Sequence, residues 1–177
     1  MDPAIRRITP DDWRQFRSLR LAALKEAPFA FVEQYQDAAT RADQHWRERV
    51  ARHATSATAS IFVAEHHDRL VGKAGCFIEP EITDHVSAQI IGVYVLPPYR
   101  GSGTADALLA ATIRWASEAA SADRIRLFVA DGNDRAAAFY HRIGFVATGT
   151  SVPYPPDASL REHELVYAGA PPDRRAA

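Results

Sequence analysis

The chain opens with apolar positions at helical spacing. From Trp13 to Ala23, apolar residues recur every three or four positions, as on one face of a helix. The Thr-Pro-Asp-Asp run before Trp13 predicts the helix start, because threonine caps a helix, proline fits its first turn and acids complement its dipole. Pro28 ends this pattern, and a second helix is predicted from Thr40 to about His53.

From residue 60 onward the pattern changes to extended runs separated by polar turns. Two apolar runs around the turn 66–69 predict a hairpin, and the run 86–96 predicts a third long strand ended by a proline pair. Helical spacing returns at 103–120 and 134–142. The two strands of the hairpin are 61–65 and 70–78. The remaining predicted strands lie at 5–8, 126–130, 145–150 and 164–168, with a proline-rich loop at 153–156.

The order of these elements predicts a mixed α/β fold. Strand, two helices, three strands, helix, strand, helix and two strands follow one another without repeats or linkers. A chain of 177 residues suits a single domain, which is expected to span residues 1–168. Residues 169–177 are expected to form a disordered tail.

Composition and charge exclude several classes of function. With 21 basic and 22 acidic residues the net charge is −1, so nucleic-acid binding is not indicated. The longest apolar stretch, 90–99, is broken by Gly92 and two prolines, and the N-terminus lacks the apolar core of a secretion signal, so neither membrane insertion nor secretion is expected. The single cysteine, Cys76, excludes an internal disulfide and fits a reducing cytoplasm. The chain has two lysines, Lys25 and Lys73, and neither stands in a P-loop sequence, which excludes the P-loop class of NTPases.

The segment 93–105 combines a strand, a glycine-bearing turn and a helix start. Successive backbone N–H groups in such a turn form an anion-binding nest, and the helix N-terminus adds partial positive charge, so a pyrophosphate fits there. Gly101 and Gly103 let the backbone approach the phosphate, and Arg100 adds a charged contact. An ordinary strand-to-helix turn is the alternative. A dinucleotide-binding fingerprint is excluded, because it requires glycine where Asp106 stands.

A second cluster follows roughly thirty residues later. A predicted strand leads to Asn133 at a helix start, and Tyr140 follows on the inner face of that helix. Residues 100–105 match the pattern Arg/Gln-x-x-Gly-x-Gly/Ala, and residues 133–145 match Asn-x-x-Ala-x-x-Phe-Tyr-x-x-x-Gly-Phe. With these two motifs the chain resembles the GNAT superfamily of acyl-CoA-dependent N-acetyltransferases, over about residues 5–168.

The resemblance implies a fold and a cosubstrate. The implied GNAT-like fold has a central, mostly antiparallel sheet flanked by helices, with the strands that carry Val95 and Val129 splayed apart. The pantetheine arm of acetyl-CoA would enter that gap and bond to the strand backbone. The acetyl-CoA contacts implied by the resemblance are Val93, Tyr94, Val95, Arg100, Gly101, Ser102, Gly103, Thr104, Ala105 and Asn133.

The resemblance also implies direct acetyl transfer to an amine, with Tyr140 protonating the departing sulfur. The alternative for Tyr140 is a core aromatic residue whose hydroxyl is satisfied locally. Many family members carry a glutamate where this chain has Gln89, and an amide cannot accept a proton at neutral pH, so Gln89 would only orient a water or the amine. The candidate bases acting through water are Glu79, Glu81, Asp84 and His85, each otherwise a solvated loop residue.

In the fold that the resemblance implies, the acceptor approaches from the side formed by the first helix pair and the loop joining the last two strands. Candidate contacts there are Phe29, Phe31, Glu33 and Tyr154, because aromatic walls with a few carboxylates suit a small cationic amine. Phe29 and Phe31 are otherwise packing residues. Three functions stay open: an N-acetyltransferase acting on a small-molecule primary amine, a protein N-terminal or lysine acetyltransferase, and a non-catalytic acyl-CoA-binding module.

The expected partners are acetyl-CoA and the amine acceptor. The seven histidines show no ligand-like spacing, so no metal is expected. The sequence does not fix the oligomeric state and leaves a homodimer open.

Overall fold

The computed structural model describes residues 2–80 and 86–169. Contacts within the chain group into two compact units, Met1–Ile125 and Arg126–Ala177. No helix in these described ranges is both long and apolar enough to cross a membrane.

The first unit carries four strands in the order β1-β2-β3-β4, with every neighbouring pair antiparallel. The turn between the second and third strands places His67 and Asp68 at φ 48° and 58°, which closes the hairpin tightly. The strands are β1 (Ala4–Arg7), β2 (Ala59–His66), β3 (Arg69–Ile78) and β4 (Ser87–Val95).

The helices of the first unit begin with a capped turn. The backbone N–H and the hydroxyl of Thr9 both donate to Asp12 Oδ2, at 2.7 and 2.9 Å, which fixes the entry into the first helix. The α-helices are α1 (Trp13–Glu26), α2 (Tyr35–Ala39), α3 (Asp43–Thr55) and α4 (Thr104–Arg114). Short 3₁₀ turns cover Pro10–Asp12, Pro28–Ala30 and Pro97–Tyr99, and a π-helical segment, Trp115–Ala119, extends α4.

The two faces of this four-stranded sheet are covered by different helices. On one face α1 and α3 bury a core that includes Phe16, Trp46 and Val50, together with Val63 of β2. On the other face α4 lies so close that a Cβ on Gly72 would be 3.0 Å from Leu108 Cδ1. A residue of β3 or β4 therefore belongs either to the α1 face or to the α4 face.

The second unit pairs three strands in the order β5-β7-β6, again antiparallel. Its elements are β5 (Arg124–Ala130), of which the first two residues belong to the first unit, α5 (Asp134–Ile143), β6 (Phe145–Tyr154) and β7 (Asp157–Tyr167). Helix α5 ends at Gly144, whose φ of 106° lets the chain reverse into β6.

The predicted fold class is confirmed: the chain is mixed α/β, with mostly antiparallel strands flanked by helices. Two local predictions are wrong. The aromatic segment before residue 40 contains the short helix α2. The loop predicted at 153–156 is shorter than expected, because β6 runs to Tyr154 and β7 begins at Asp157, so that only Pro155 and Pro156 form the turn of a long hairpin. Pro153 is tolerated there because β6 is an edge strand that pairs only with β7, and edge strands are where a sheet accommodates proline. Except for Gly169, the predicted tail lies outside the described residues.

Candidate functional site

The turn between β4 and α4 presents backbone donors. Gly101 and Gly103 adopt φ values of 79° and 82°, a left-handed conformation that L side chains avoid, and a Cβ at either would meet nothing within 4 Å. Among the well-formed turn and loop hydrogen bonds of residues 2–80 and 86–169, none is donated by the backbone N–H groups of 101–105. Because α4 begins at Thr104, these donors converge at the positive end of its dipole. The turn can therefore hold an anion.

Side chains of this turn are engaged with the protein. Arg100 Nε donates to the carbonyl of Val95 at 2.9 Å, and its Nη2 forms a 2.5 Å ion pair with Glu26. Ser102 Oγ donates to the carbonyl of Tyr99 at 2.7 Å and lies 2.7 Å from the hydroxyl of the buried Thr104. The exposed donors of the turn are consequently its backbone groups.

Strand β4 contains a bulge at the level of Gly92. Lys73 of β3 pairs with Tyr94, but Gly75 pairs with Ile91, so three steps along β4 match two along β3. Gly92 has φ 64° at this irregularity. Of the predicted strand contacts, Val93 lies within the bulge, while Tyr94 and Val95 follow it and are buried.

Gln89 lies on the α1 face of the sheet. It pairs with Phe77, and Ile91 pairs with Gly75; residues 73, 75 and 77 of β3 share one face by alternation. Across the bulge the α1 face of β4 passes from odd to even positions, so that Tyr94, not Val93, continues the row of Gln89 and Ile91. Gln89 is half-buried.

Tyr94 connects this strand to the end of α1. Its hydroxyl donates to Glu26 at 2.6 Å, and Arg100 stacks over its ring at 5.6 Å. Burial, followed by the bond to Glu26, raises the pKa of Tyr94 to about 12, so the group stays a neutral phenol.

The predicted acceptor residues of the first unit occupy different environments. Phe29 is 67% exposed, whereas Phe31 is buried in the core beneath α1 and α3. Glu33 is held by three arginines: Arg20 Nε donates to it at 2.9 Å, Arg49 at 3.3 Å, and Arg41 is 3.5 Å away. Burial alone would raise the pKa of Glu33, but the charges of Arg49 and Arg20 lower it below its ordinary value.

A buried lysine stands next to this ion-pair network. Lys73 is 4% exposed, and its Nζ donates to the carbonyl of Gly92 at 2.5 Å. Burial lowers the pKa of Lys73 well below its ordinary range, and the charges of Arg20 and Arg49 lower it further. We call Arg20, Arg41, Arg49 and Lys73 the cationic cluster.

In the second unit, Asn133 occupies the N-cap position of α5, and its backbone N–H donates to the carbonyl of Ala130 at 3.1 Å. The Tyr140 side chain is half-buried and its ring packs against Phe145 at 5.8 Å. Burial raises the pKa of Tyr140 above its ordinary value, so the phenol stays protonated near neutral pH. Tyr154 is 2% exposed and belongs to the interior.

Of the four candidate bases, only Glu79 lies within the described residues. Glu79 follows β3 and is half-buried, with its backbone N–H donating to the carbonyl of Ser87 at 2.8 Å. Glu81, Asp84 and His85 lie outside the described residues. Within the part of the chain that the structure describes, no group of three His, Cys, Asp or Glu side chains could hold a metal ion.

Comparison with known proteins identifies the family. A sequence model described as the Acetyltransferase (GNAT) family matches residues 13–145, well over half of the chain. The chain belongs to the GNAT family. An uncharacterised N-acetyltransferase of Mycobacterium tuberculosis is 34% identical to it over 102 residues, covering 58% of this chain and 62% of the relative. The alignment thus spans about three fifths of the length of that curated relative.

Solved GNAT structures share the fold. A GNAT acetyltransferase from Streptococcus pneumoniae has a TM-score of 0.75 at 20% identity, covering 92% of this chain and 96% of the other. The PaiA N-acetyltransferase of Thermoplasma acidophilum, in complex with coenzyme A, has a TM-score of 0.70 at 17% identity, covering 94% and 100%. A ribosomal-protein-alanine N-acetyltransferase of Brucella melitensis has a TM-score of 0.72 at 24% identity, covering 92% and 98%. At these identities the likeness shows the fold alone.

The cationic cluster is the part of this GNAT chain that sequence reasoning missed. A signal was present: Lys73 interrupts a run of small and apolar residues in β3, where a charge on a covered face needs a reason. Arg20 likewise falls on the apolar face of α1 and is buried there.

Proposed function

We propose that this GNAT-family protein transfers an acetyl group from acetyl-CoA to a primary amine of a small molecule. The observation that carries the proposal is the turn 101–105, where successive backbone N–H groups and two left-handed glycines meet the N-terminus of α4. A pyrophosphate supplies the negative charge that such a turn stabilises. The coenzyme A complex of the Thermoplasma neighbour, which has the same fold, supports the choice of cosubstrate.

The residues of the turn fit this cosubstrate. The space beside Gly101 and Gly103 is open, so phosphate oxygens can approach the backbone closely. Because Arg100 is already paired with Glu26, the pyrophosphate would be held mainly by backbone donors rather than by a guanidinium.

The overall reaction forms a bond between the amine nitrogen and the acetyl carbon and breaks the carbon–sulfur bond. One proton leaves the amine and one is gained by the sulfur. For Tyr140 we propose the second transfer, because a phenol with a raised pKa is protonated at neutral pH and can give a proton but not take one. For Gln89 we propose orientation of the amine or of a water.

A screen with acetyl-CoA tests the function. The purified protein is mixed with amino acids, polyamines, aminoglycosides and short peptides, and free thiol is measured as coenzyme A is released. We expect amine-dependent thiol release with at least one small molecule. Faster release with peptides would favour a protein acetyltransferase, and tight acetyl-CoA binding without release would favour a non-catalytic module.

A further inference from the structure

The cationic cluster holds more positive charge than the described chain around it compensates. Three guanidinium groups surround the single carboxylate of Glu33, so two positive charges remain even when Lys73 is neutral. The negative charge of Glu33 acts on both Arg20 and Lys73. Repulsion of this kind destabilises a fold unless an anion joins the group.

Two members of the cluster keep donors without partners. The side chain of Arg20 is 8% exposed, and of its nitrogens only Nε makes a hydrogen bond to any residue that the structure describes. Lys73 Nζ uses one of its protons for the carbonyl of Gly92. The Nη nitrogens of Arg20 are not among the buried side-chain atoms without a partner, so they stay accessible and an acceptor from a ligand can reach them.

The free donors of both residues face the same point on β4. A Cβ placed on Gly92 would lie 3.2 Å from Lys73 Nζ and 3.7 Å from Arg20 Nη1. The Phe31 ring lies beneath both cations, at 4.7 Å from the Arg20 guanidinium and 5.5 Å from Lys73 Nζ. The ends of the two side chains occupy the space that a side chain at residue 92 would take, and the aromatic ring holds the two cations side by side.

Gln89, the candidate that would orient the amine, lies on the same face of the sheet. It occupies the α1 face two pairs along from Lys73, with Ile91 between them. Their positions on β3, Phe77 opposite Gln89 and Lys73 itself, are four residues apart, about 13 Å. A molecule that contacts both Gln89 and the cationic cluster therefore needs an amine and an anionic group separated by several ångströms.

We propose that the cationic cluster binds a carboxylate of the amine acceptor, so that the acceptor is an amino acid rather than a polyamine. A planar carboxylate matches the fork of the Arg20 Nη nitrogens, with Lys73 as a third donor. The carboxylate of Glu33 is already compensated by three arginines and offers little to a cationic amine. This inference rests on the proposed function, because it names the acceptor of that reaction.

Matched pairs of amines test the inference without any change to the protein. Lysine is compared with cadaverine, and phenylalanine with phenethylamine and with phenylalanine methyl ester, by kcat/KM at constant ionic strength. We expect the carboxylate-bearing member to be preferred about ten- to hundredfold, the range expected for hydrogen bonds to a charged group. Equal values within every pair, or a preference for the decarboxylated members, would overturn the inference while leaving the acetyltransferase function intact.

The Lys73→Met variant assigns the preference to the cluster. Methionine fills the buried site without charge, and melting temperature reports whether the variant is folded. We expect its preference within each pair to fall to about threefold or less, with unchanged affinity for acetyl-CoA. Arg52→Met, at an exposed arginine of the same helix as Arg49, is the control and should keep the wild-type preference. A folded Lys73→Met variant that keeps the full preference would contradict the assignment.

Binding measurements distinguish the proposed carboxylate site from the proposed acetyl transfer. Calorimetry with the amino acids and their decarboxylated partners, with coenzyme A present, needs no turnover. Carboxylate-dependent binding that disappears in Lys73→Met supports the site even when no thiol is released, in which case the proposed reaction fails alone. Absence of any carboxylate-dependent binding overturns the site.

Discussion

Two regions of the first unit collect positive charge, and they do so with different parts of the chain. The turn 101–105 uses backbone N–H groups at a helix start, whereas the cationic cluster uses side chains from α1, α3 and β3. A backbone site needs only a turn geometry, which consecutive residues encode. A side-chain site needs residues far apart in sequence, such as Arg20 and Lys73, and depends on the sheet register to bring them together.

The largest expected effect concerns the backbone site. Replacing Gly103 with valine forces a β-branched residue into φ 82° and fills the open space beside the turn. We expect acetyl-CoA binding, measured by calorimetry, to fall below detection while the protein stays folded. Ser102→Ala removes only the side-chain hydroxyl and keeps the backbone donors, so the affinity of this variant for acetyl-CoA should stay close to that of the wild type. Loss of affinity in Ser102→Ala alone would show that the turn does not bind through its backbone.

The next effect separates binding from chemistry. Tyr140→Phe removes the proposed proton donor but no part of either cationic region, so acetyl-CoA affinity should be unchanged. We expect kcat to fall about a hundredfold, at the low end of the range for a positioned general acid, because a thiolate is a fair leaving group. Steady-state kinetics with one active amine measure this. An unchanged kcat would assign Tyr140 to packing against Phe145.

A third effect tests how far Glu33 compensates the positive charge of the cationic cluster. Glu33→Gln leaves three arginines without their shared carboxylate, and we expect a loss of about 1–2 kcal/mol in the free energy of unfolding at pH 7. The pKa of Glu33 is lowered in the folded state, so its stabilisation is present above the ordinary carboxyl pKa and is lost as pH falls through the lowered value. The difference between wild type and variant, measured by chemical denaturation, should therefore shrink at acidic pH.

The control for Glu33 is Glu48→Gln on α3, where the carboxylate is exposed and accepts a hydrogen bond from Gln44. This variant should change stability by less than about 0.5 kcal/mol. Equal losses in the two variants would mean that the arginines around Glu33 do not depend on it.

The smallest effect concerns Gln89, on the same face as Lys73. Gln89→Glu introduces a carboxylate that can accept a proton from the amine, so the rising alkaline limb of kcat/KM should move to lower pH. Gln89→Ala should lower the rate a few-fold without moving the profile. Should both variants reproduce the wild-type pH profile and rate, Gln89 lies outside the site, and the search for a base moves to Glu79, Glu81, Asp84 and His85.

The sequence predicted those structural features that depend on the spacing of neighbouring residues. The capped start of α1 and the β2–β3 hairpin follow from neighbouring residues, and the structure has both. The roles assigned to the turn 100–105 and to Tyr140 stay predictions. Local spacing could not give the neighbours of Lys73 on β4, because the bulge there, which only strand pairing reveals, decides that Tyr94 lies opposite Lys73. Pro153 misled for a similar reason, because its place on an edge strand depends on the sheet order.

The bulge at Gly92 also bears on how a chain of this kind can change its length. Removing that one residue would let β3 and β4 pair step for step, with Ile91 still opposite Gly75 and Tyr94 still opposite Lys73. Every other side chain would keep its face, so the shortened strand should fold. The left-handed kink, and with it the carbonyl that now accepts from Lys73, would be gone. Deletion of a single codon would thus remove one contact of the proposed acceptor site in one evolutionary step, while the sheet keeps its strand order.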